Sequence, residues 1–136
     1  MESLPVKYLL DTHIWILANV APEALSNNHR KLLENLRPSD DLILSAISLW
    51  EVCKLVEKGK ITLFEDMESW IKSALDMPNL RVIPLSCNVF YKSTTLPQPF
   101  HRDPADQMIV ATARIHDATI VTQDHLITNY HHVKTV

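Results

Sequence analysis

Glycine occurs once in this chain of 136 residues, at Gly59. Phosphate-cradling loops and dinucleotide fingerprints need several glycines to bring backbone against phosphate, so both are excluded. Any phosphate chemistry has to run through side chains or a metal ion. Cysteine is nearly as scarce: Cys53 and Cys87 are the only two, no pair stands at metal-ligand spacing, and no charged-then-apolar segment opens the chain. A reduced, cytoplasmic setting without a disulfide is therefore expected. Nor does any apolar run approach the roughly 18 residues that a membrane span requires, so a soluble protein with no membrane partner is expected.

Hydrophobic residues make up 46% of the chain and charged residues 21%, values of an ordinary globular domain. A chain of this length buries about two-thirds of its unfolded surface and can build one core without staples. A single domain over residues 1–136 is expected. The net charge of -3 argues against a general polyanion-binding surface. Setting four of the sixteen acids into one metal site, however, leaves twelve acids against thirteen bases elsewhere. A nucleic-acid substrate is then permitted, though not required.

Apolar runs and helical spacings alternate along the chain. Val6 to Leu10, bounded by Pro5, predicts a buried strand that ends at Asp11, and Thr12-His13 then opens an apolar helical segment. A second helix runs through Leu32, Leu33 and Leu36 and stops before Pro38. Leu42 to Leu44 predicts a second strand followed by Ser45. A third helix from Ser48 to Glu57 ends at Gly59, with Leu49, Val52, Cys53 and Val56 as its buried stripe and Glu51, Lys54 and Lys58 on the other side. A fourth helix spans Glu65 to Asp76. The third strand, Arg81 to Leu85, contains Pro84, which points to a sheet edge or an early end. A fifth helix, Ser86 to Thr95, leads into the rigid loop Leu96-Pro97-Gln98-Pro99. A sixth opens at Asp103-Pro104, a fourth strand covers Thr119 to Thr122, and His132 to Val136 has the character of a short last strand. Strands alternating with helices predict an α/β fold, with helices on both faces of a mostly parallel sheet.

In an open sheet of this kind, ligands bind beyond the carboxyl ends of the strands, where the strand order reverses. Asp11 follows the first strand, Asp124 follows the fourth, Glu51 lies in the helix after the second, and Asp106 lies in the helix leading into the fourth. Each has a modest explanation alone. Asp103 with Pro104 makes a helix cap that Asp106 reinforces, Glu51 could complete a capping box with Ser48, Asp11 could cap its helix and Asp124 a turn. Separate caps do not explain why acids recur at one edge. Carboxylates about 4 Å apart cost on the order of 4 kcal/mol per pair at an effective dielectric near 20. Hard divalent cations with oxygen ligands offset such a cost, which points to Mg2+ or Mn2+ and to phosphodiester hydrolysis. Thr12, Ser45 and Thr122 lie near the same rim as candidates to orient water or phosphate, or else serve as plain caps or hydrogen-bonding groups. His101 and Arg102 are candidates to touch the backbone of a nucleic acid, or are solvated loop residues.

Tyr-Leu-Leu-Asp-Thr-His (8–13), Leu-Ser-Ala-Ile-Ser-Leu-Trp-Glu (44–51), Lys-Gly-Lys-Ile (58–61), Leu-Pro-Gln-Pro-Phe-His-Arg-Asp-Pro-Ala-Asp (96–106) and Val-Thr-Gln-Asp (121–124) resemble, in order and spacing, the PIN-domain ribonucleases. Within these the chain resembles the VapC-like toxins of bacterial toxin-antitoxin pairs. The resemblance implies a PIN-like three-layer fold with a central sheet of four to five strands. It also implies metal-binding catalytic acids at Asp11, Glu51, Asp106 and Asp124, with Asp103 capping the helix that carries Asp106. A Mg2+-dependent endoribonuclease, usually dimeric and inhibited by a cognate antitoxin, is what such a chain should be. Relatives often carry arginine where this chain has Gln107.

Three other readings stay open at this stage. One is an RNA-processing PIN nuclease with no antitoxin. Another is a non-catalytic interaction domain whose acidic pocket receives a partner's arginine. The third is phosphoryl transfer through an aspartyl phosphate on Asp11, although His13 stands where phosphatases of the haloacid dehalogenase type place a second Asp.

Overall fold

The first strand of the sequence becomes the middle of the sheet. In the computed structural model, which describes residues 4–136, β1 (Lys7–Leu10) is flanked by β2 (Asp41–Ser45) and β4 (Thr119–Val121). Beyond them lie β3 (Leu80–Ile83) and β5 (Lys134–Thr135), giving the order β3-β2-β1-β4-β5. Every pairing is parallel, with Leu9 opposite Ile43 on one side and Ile120 on the other. The order reverses between β1 and β4, so the switch point sits where Asp11 and Asp124 leave the sheet. The expected edge position of the Pro84 strand is borne out, since β3 ends at Ile83 on the outside of the sheet.

Alternation along the strands divides the core in two. Leu9, Ile43 and Ile120 face one layer, where they meet Ile109, Val110 and Ala113 of α6 (Pro104–His116) and Leu96, which follows α5 (Cys87–Thr94). Leu10, Leu42, Leu44 and Val121 face the other, against Ile14 and Trp15 of α1 (Thr12–Val20) and Trp70 and Ala74 of α4 (Met67–Ala74). The two layers enclose the sheet, as the three-layer expectation required. Trp15 is fully buried, with its indole N–H donated to the Ala74 carbonyl at 2.9 Å and its ring set edge-on against Trp70. Trp15 and Ile16 therefore belong to the core. Helices α2 (Asn27–Glu34) and α3 (Ile47–Glu57) complete the frame, and Cys53 and Cys87 are both free thiols. Among the described residues no helix is long and apolar enough to cross a membrane.

Scarcity of glycine is visible in the turns. The left-handed backbone that glycine adopts most readily is taken by Asn79 (φ 68°) and Asp117 (φ 53°) as well as by Gly59 (φ 70°). Asn and Asp pay less than other side chains there, because a short polar group can bond locally. Asn79 does so, donating from its amide to the carbonyls of Arg37 and Asp40, each at 3.0 Å.

Asp40 is the polar clamp at the mouth of β2. Its carboxylate accepts from the backbone N–H of Val6 (2.9 Å) and of Arg37 (3.1 Å) and faces the Arg37 guanidinium at 3.0 Å. These donors, the Arg37 side chain foremost, hold its pKa down to about 2. A depressed carboxylate stabilises the fold above its ordinary pKa and ceases to do so as pH falls through the folded value. Asp40→Ala should therefore lose about 1–3 kcal/mol at neutral pH, and the gap to the parent in urea melts should close between about pH 4 and pH 2. A gap that stays constant down to pH 2 would contradict this account of the clamp.

Candidate active site

Asp11 ends β1 and caps α1, and both of its oxygens are committed. Oδ1 accepts from the Thr12 N–H at 2.8 Å, and Oδ2 accepts from the Thr122 hydroxyl at 2.7 Å. The same Thr122 oxygen accepts the Asp124 N–H at 2.9 Å. A relay of two hydrogen bonds thus ties the exit of β4 to the exit of β1 across the switch point. Asp11 and Thr122 are 4% and 3% exposed, so the anchor is dry while its surroundings open outward. Asp124 itself caps α7 (His125–Thr128) by accepting from the Leu126 N–H at 2.9 Å.

Glu51 reaches the rim from α3. Its Oε1 accepts the Thr12 hydroxyl at 2.5 Å, and Ser48 Oγ lies 2.7 Å from the same Thr12 oxygen. With Thr12's one hydroxyl proton given to Glu51, Ser48 is the donor of the second bond. The capping box offered for Ser48 and Glu51 does not form: α3 starts at Ile47, so Ser48 is already inside the helix and turns toward α1. Ser45 takes the plainer of its two expected roles. Its hydroxyl accepts from the Ile47 N–H at 3.2 Å and serves the entry to α3, with no bond to the acids among the described residues.

Asp106 stands at the head of α6, beneath the Asp103 cap, whose Oδ1 accepts the Asp106 N–H at 2.9 Å. Here the local and the functional readings of the Asp103-Pro104 sequence coincide. His101 Nε2 approaches Asp106 Oδ2 to 3.0 Å without the alignment of a hydrogen bond, and Phe100 packs against the imidazole at 4.5 Å between ring centroids. Gln107 donates its amide to the His101 carbonyl at 3.1 Å and so braces this loop. Arg102 is exposed, with no ion pair or hydrogen bond among the described residues.

Burial pushes the Asp106 carboxyl up to about 8, and the charges of Asp11, Asp103, Asp124 and Glu51 push in the same direction. Glu51 is raised as well, first by burial, then by Asp11 and Asp103, against the bond from Thr12 that favours its anion. All four predicted acids, and the capping Asp103, thus lie within electrostatic reach of one another. They are gathered but not closed: among the described residues no three His, Cys, Asp or Glu side chains form a ready-made cage for an ion.

His13 was weighed in the sequence only as standing where a second Asp would be. Its Nε2 accepts the Gln123 N–H at 3.1 Å, which leaves Nδ1 as the protonated nitrogen of the neutral ring, 3.4 Å from Asp11 Oδ2. Ser48 was noticed only as a cap. The signal for both lay in their neighbours, one residue from Thr12 in the first case and three from Glu51 in the second.

A donor set of carboxylates and hydroxyls suits a hard divalent cation. Burial of Asp106 and the charges around it both disfavour its anion, and either a proton or a cation can offset them. In metal-free buffer the proton does so, and the sign of its effect is definite. A carboxyl raised in the fold contributes stability below its ordinary pKa, near 4, and loses it as pH climbs through about 8. Asp106→Asn should therefore melt a few degrees above the parent at pH 8 in EDTA and level with it at pH 4, as scanning fluorimetry would record. A variant less stable than the parent at pH 8 would refute the repulsion.

Comparison with known proteins gives the chain a family and its fold several relatives. The PIN domain family matches residues 8–132. Ribonuclease VapC22 of Mycobacterium tuberculosis is 30% identical over 128 residues, covering 94% of this chain and 95% of that protein. Among solved structures, VapBC2 from Rickettsia felis bound to a DNA fragment from its promoter superimposes with a TM-score of 0.64 at 21% identity, covering 96% of this chain and 98% of that one. A toxin-antitoxin complex from Klebsiella pneumoniae gives 0.64 at 20% identity over 93% and 94%, and FitAcB from Neisseria gonorrhoeae gives 0.60 at 23% identity over 94% and 95%. At these identities the structural matches speak for the fold.

Proposed function

The chain belongs to the PIN-domain family, and from that premise we propose that it is a metal-dependent endoribonuclease, the toxin of a toxin-antitoxin pair. The observation that carries the proposal is the convergence of Asp11, Glu51, Asp106 and Asp124 at the carboxyl edge of a parallel sheet, where their mutual repulsion asks for a cation. Those four residues are the proposed metal ligands, directly or through water, and Mg2+ or Mn2+ is the proposed ion. Such an ion lowers the pKa of an attacking water and stabilises the leaving oxygen of a phosphodiester.

The protein's own part is positioning. Asp11 cannot swing, because Thr12 and Thr122 hold one oxygen each. Glu51 is turned to the rim by the Thr12 hydroxyl, which Ser48 in turn fixes. Asp106 is set by the capped first turn of α6, and Asp124 by its own cap on α7. Four carboxylates supported this way repel a phosphate until a cation intervenes, so substrate binding and metal binding are coupled. His101 and Arg102, on the loop that enters α6, are proposed RNA contacts.

Ribonuclease VapC22 and the neighbouring toxin-antitoxin complexes support the choice of RNA as substrate and of an antitoxin as partner. We assign a homodimer on the family resemblance. The aspartyl-phosphate alternative gains nothing from the geometry, since both Asp11 oxygens are already bonded and His13 occupies the place of a second acid. The test is direct. Purified protein should cut single-stranded RNA with Mg2+ or Mn2+ and stop in excess EDTA, and Asp11→Asn should cut nothing while retaining the parent's circular dichroism. Undiminished cleavage by Asp11→Asn, or by the parent in EDTA, would end the assignment.

A further inference from the structure

The one buried side chain of α2 is a histidine. Leu32 and Leu33 of the same helix, and Leu36 just beyond it, are half-buried against the second core layer, whereas His29 is 6% exposed. A polar ring in such a place is costly unless it is bonded. Its Nε2 lies 2.9 Å from the carbonyl oxygen of Val136, 107 positions away. A carbonyl oxygen can only accept, so Nε2 carries the proton, and the buried Nδ1 keeps its lone pair with no partner among the described residues. An apolar side chain of similar size would fill the place without that orphan.

The Val136 oxygen has a second donor. It receives the Thr122 N–H at 3.2 Å, while the Val136 N–H is donated to the Ile120 carbonyl at 2.9 Å. The parallel ladder of β4 and β5 therefore runs one residue past Thr135. Thr122 is the residue whose hydroxyl is donated to Asp11 Oδ2 and receives the Asp124 N–H. From His29 a path of hydrogen bonds thus leads through the Val136 carbonyl and Thr122 to two of the four acids. The ladder along this path is short, since β4 has three residues and β5, at the edge of the sheet, has two. With the Val136 side chain 47% exposed, little packing holds that edge. A buried donor that pins the last carbonyl of so short a ladder has leverage on the exit of β4.

We propose that His29 is a positioning residue of the active site: it fixes the Val136 carbonyl, which sets the exit of β4 and, through the Thr122 hydroxyl, the aim of Asp11 and the turn that carries Asp124. The inference rests on the reading of these acids as metal ligands, and adds to it a residue that touches neither metal nor substrate. A histidine that merely tied α2 to the sheet edge would leave the acids indifferent to its replacement.

His29→Met keeps the volume and removes the donor, and His29→Gln returns an N–H near the place of Nε2. Both should fold, because the Val136 oxygen retains the Thr122 N–H and no buried acceptor is orphaned. In His29→Met the affinity for Mn2+, measured by calorimetry without RNA, should fall about 3- to 10-fold, less than the roughly 10- to 100-fold that follows loss of a group bonded directly to a ligand. Amide hydrogen exchange should quicken by about tenfold at Thr122 and Asp124, while Leu9 and Ile43 keep the parent's rates. His29→Gln should restore most of both properties. In a Thr122→Val background, His29→Met should remove no further Mn2+ affinity, because the path is already cut. Unchanged Mn2+ affinity in His29→Met, a loss that adds in full to that of Thr122→Val, or faster exchange spread evenly over the sheet overturns the inference and leaves His29 a packing residue. Should His29→Met fail to fold, His29→Asn takes its place, its amide being too short to reach the Val136 oxygen, and the same outcomes decide. If the parent itself takes up no Mn2+, the metal reading falls, while selective exchange at Thr122 and Asp124 keeps the path from His29.

Discussion

Repulsion between carboxylates that the fold does not allow to separate is the constraint around which this molecule is arranged. Side chains crowded at a flexible surface would rotate apart and dissipate the strain. Here each is tethered: Asp11 by two donors, Glu51 through Thr12, Asp106 by the first turn of a capped helix, Asp124 by its own cap. The electrostatic cost then appears as proton affinity, most visibly at Asp106. Burial raises that affinity first, and the neighbouring carboxylates add to it.

The tethers are hydroxyls and backbone N–H groups, and that choice has physical content. A lysine or arginine among the acids would neutralise the pocket permanently and remove its reason to take up metal. Thr12, Ser48 and Thr122 orient anions without cancelling them. They are buried, and every bond the structure gives their hydroxyls is directed at the acids or at one another, apart from the Asp124 N–H that Thr122 receives.

Much of this was legible beforehand, for identifiable reasons. Apolar runs that stop at an acid announce strand ends, which located Asp11 and Asp124. Proline after Asp103 announced a helix start, which located Asp106, and Pro84 announced the sheet edge. The part that escaped depends on how helices from distant stretches face each other. Thr12 and Ser48 are 36 positions apart, and only the parallel pairing of β1 with β2 brings α1 and α3 side by side. Helix starts carry an uncertainty of a residue or two, and that is enough to turn Ser48 from a cap into a buried donor. The helix expected over Glu65 to Asp76 proved shorter, Met67–Ala74, because Asp66 caps it by accepting from the Ser69 N–H. Helix α7 has only four residues, too few for any periodic pattern to register.

The bond between Thr122 and Asp11 spans 111 positions of sequence, and it closes only when the strand order has already been laid down on both sides of β1. During synthesis, the ribosome would therefore release Asp11, Thr12, Ser48 and Glu51 long before the strand that completes their pocket. An unfinished chain holds acids with nothing to gather them. The pocket is thus closed by strand order and by nothing local to Asp11.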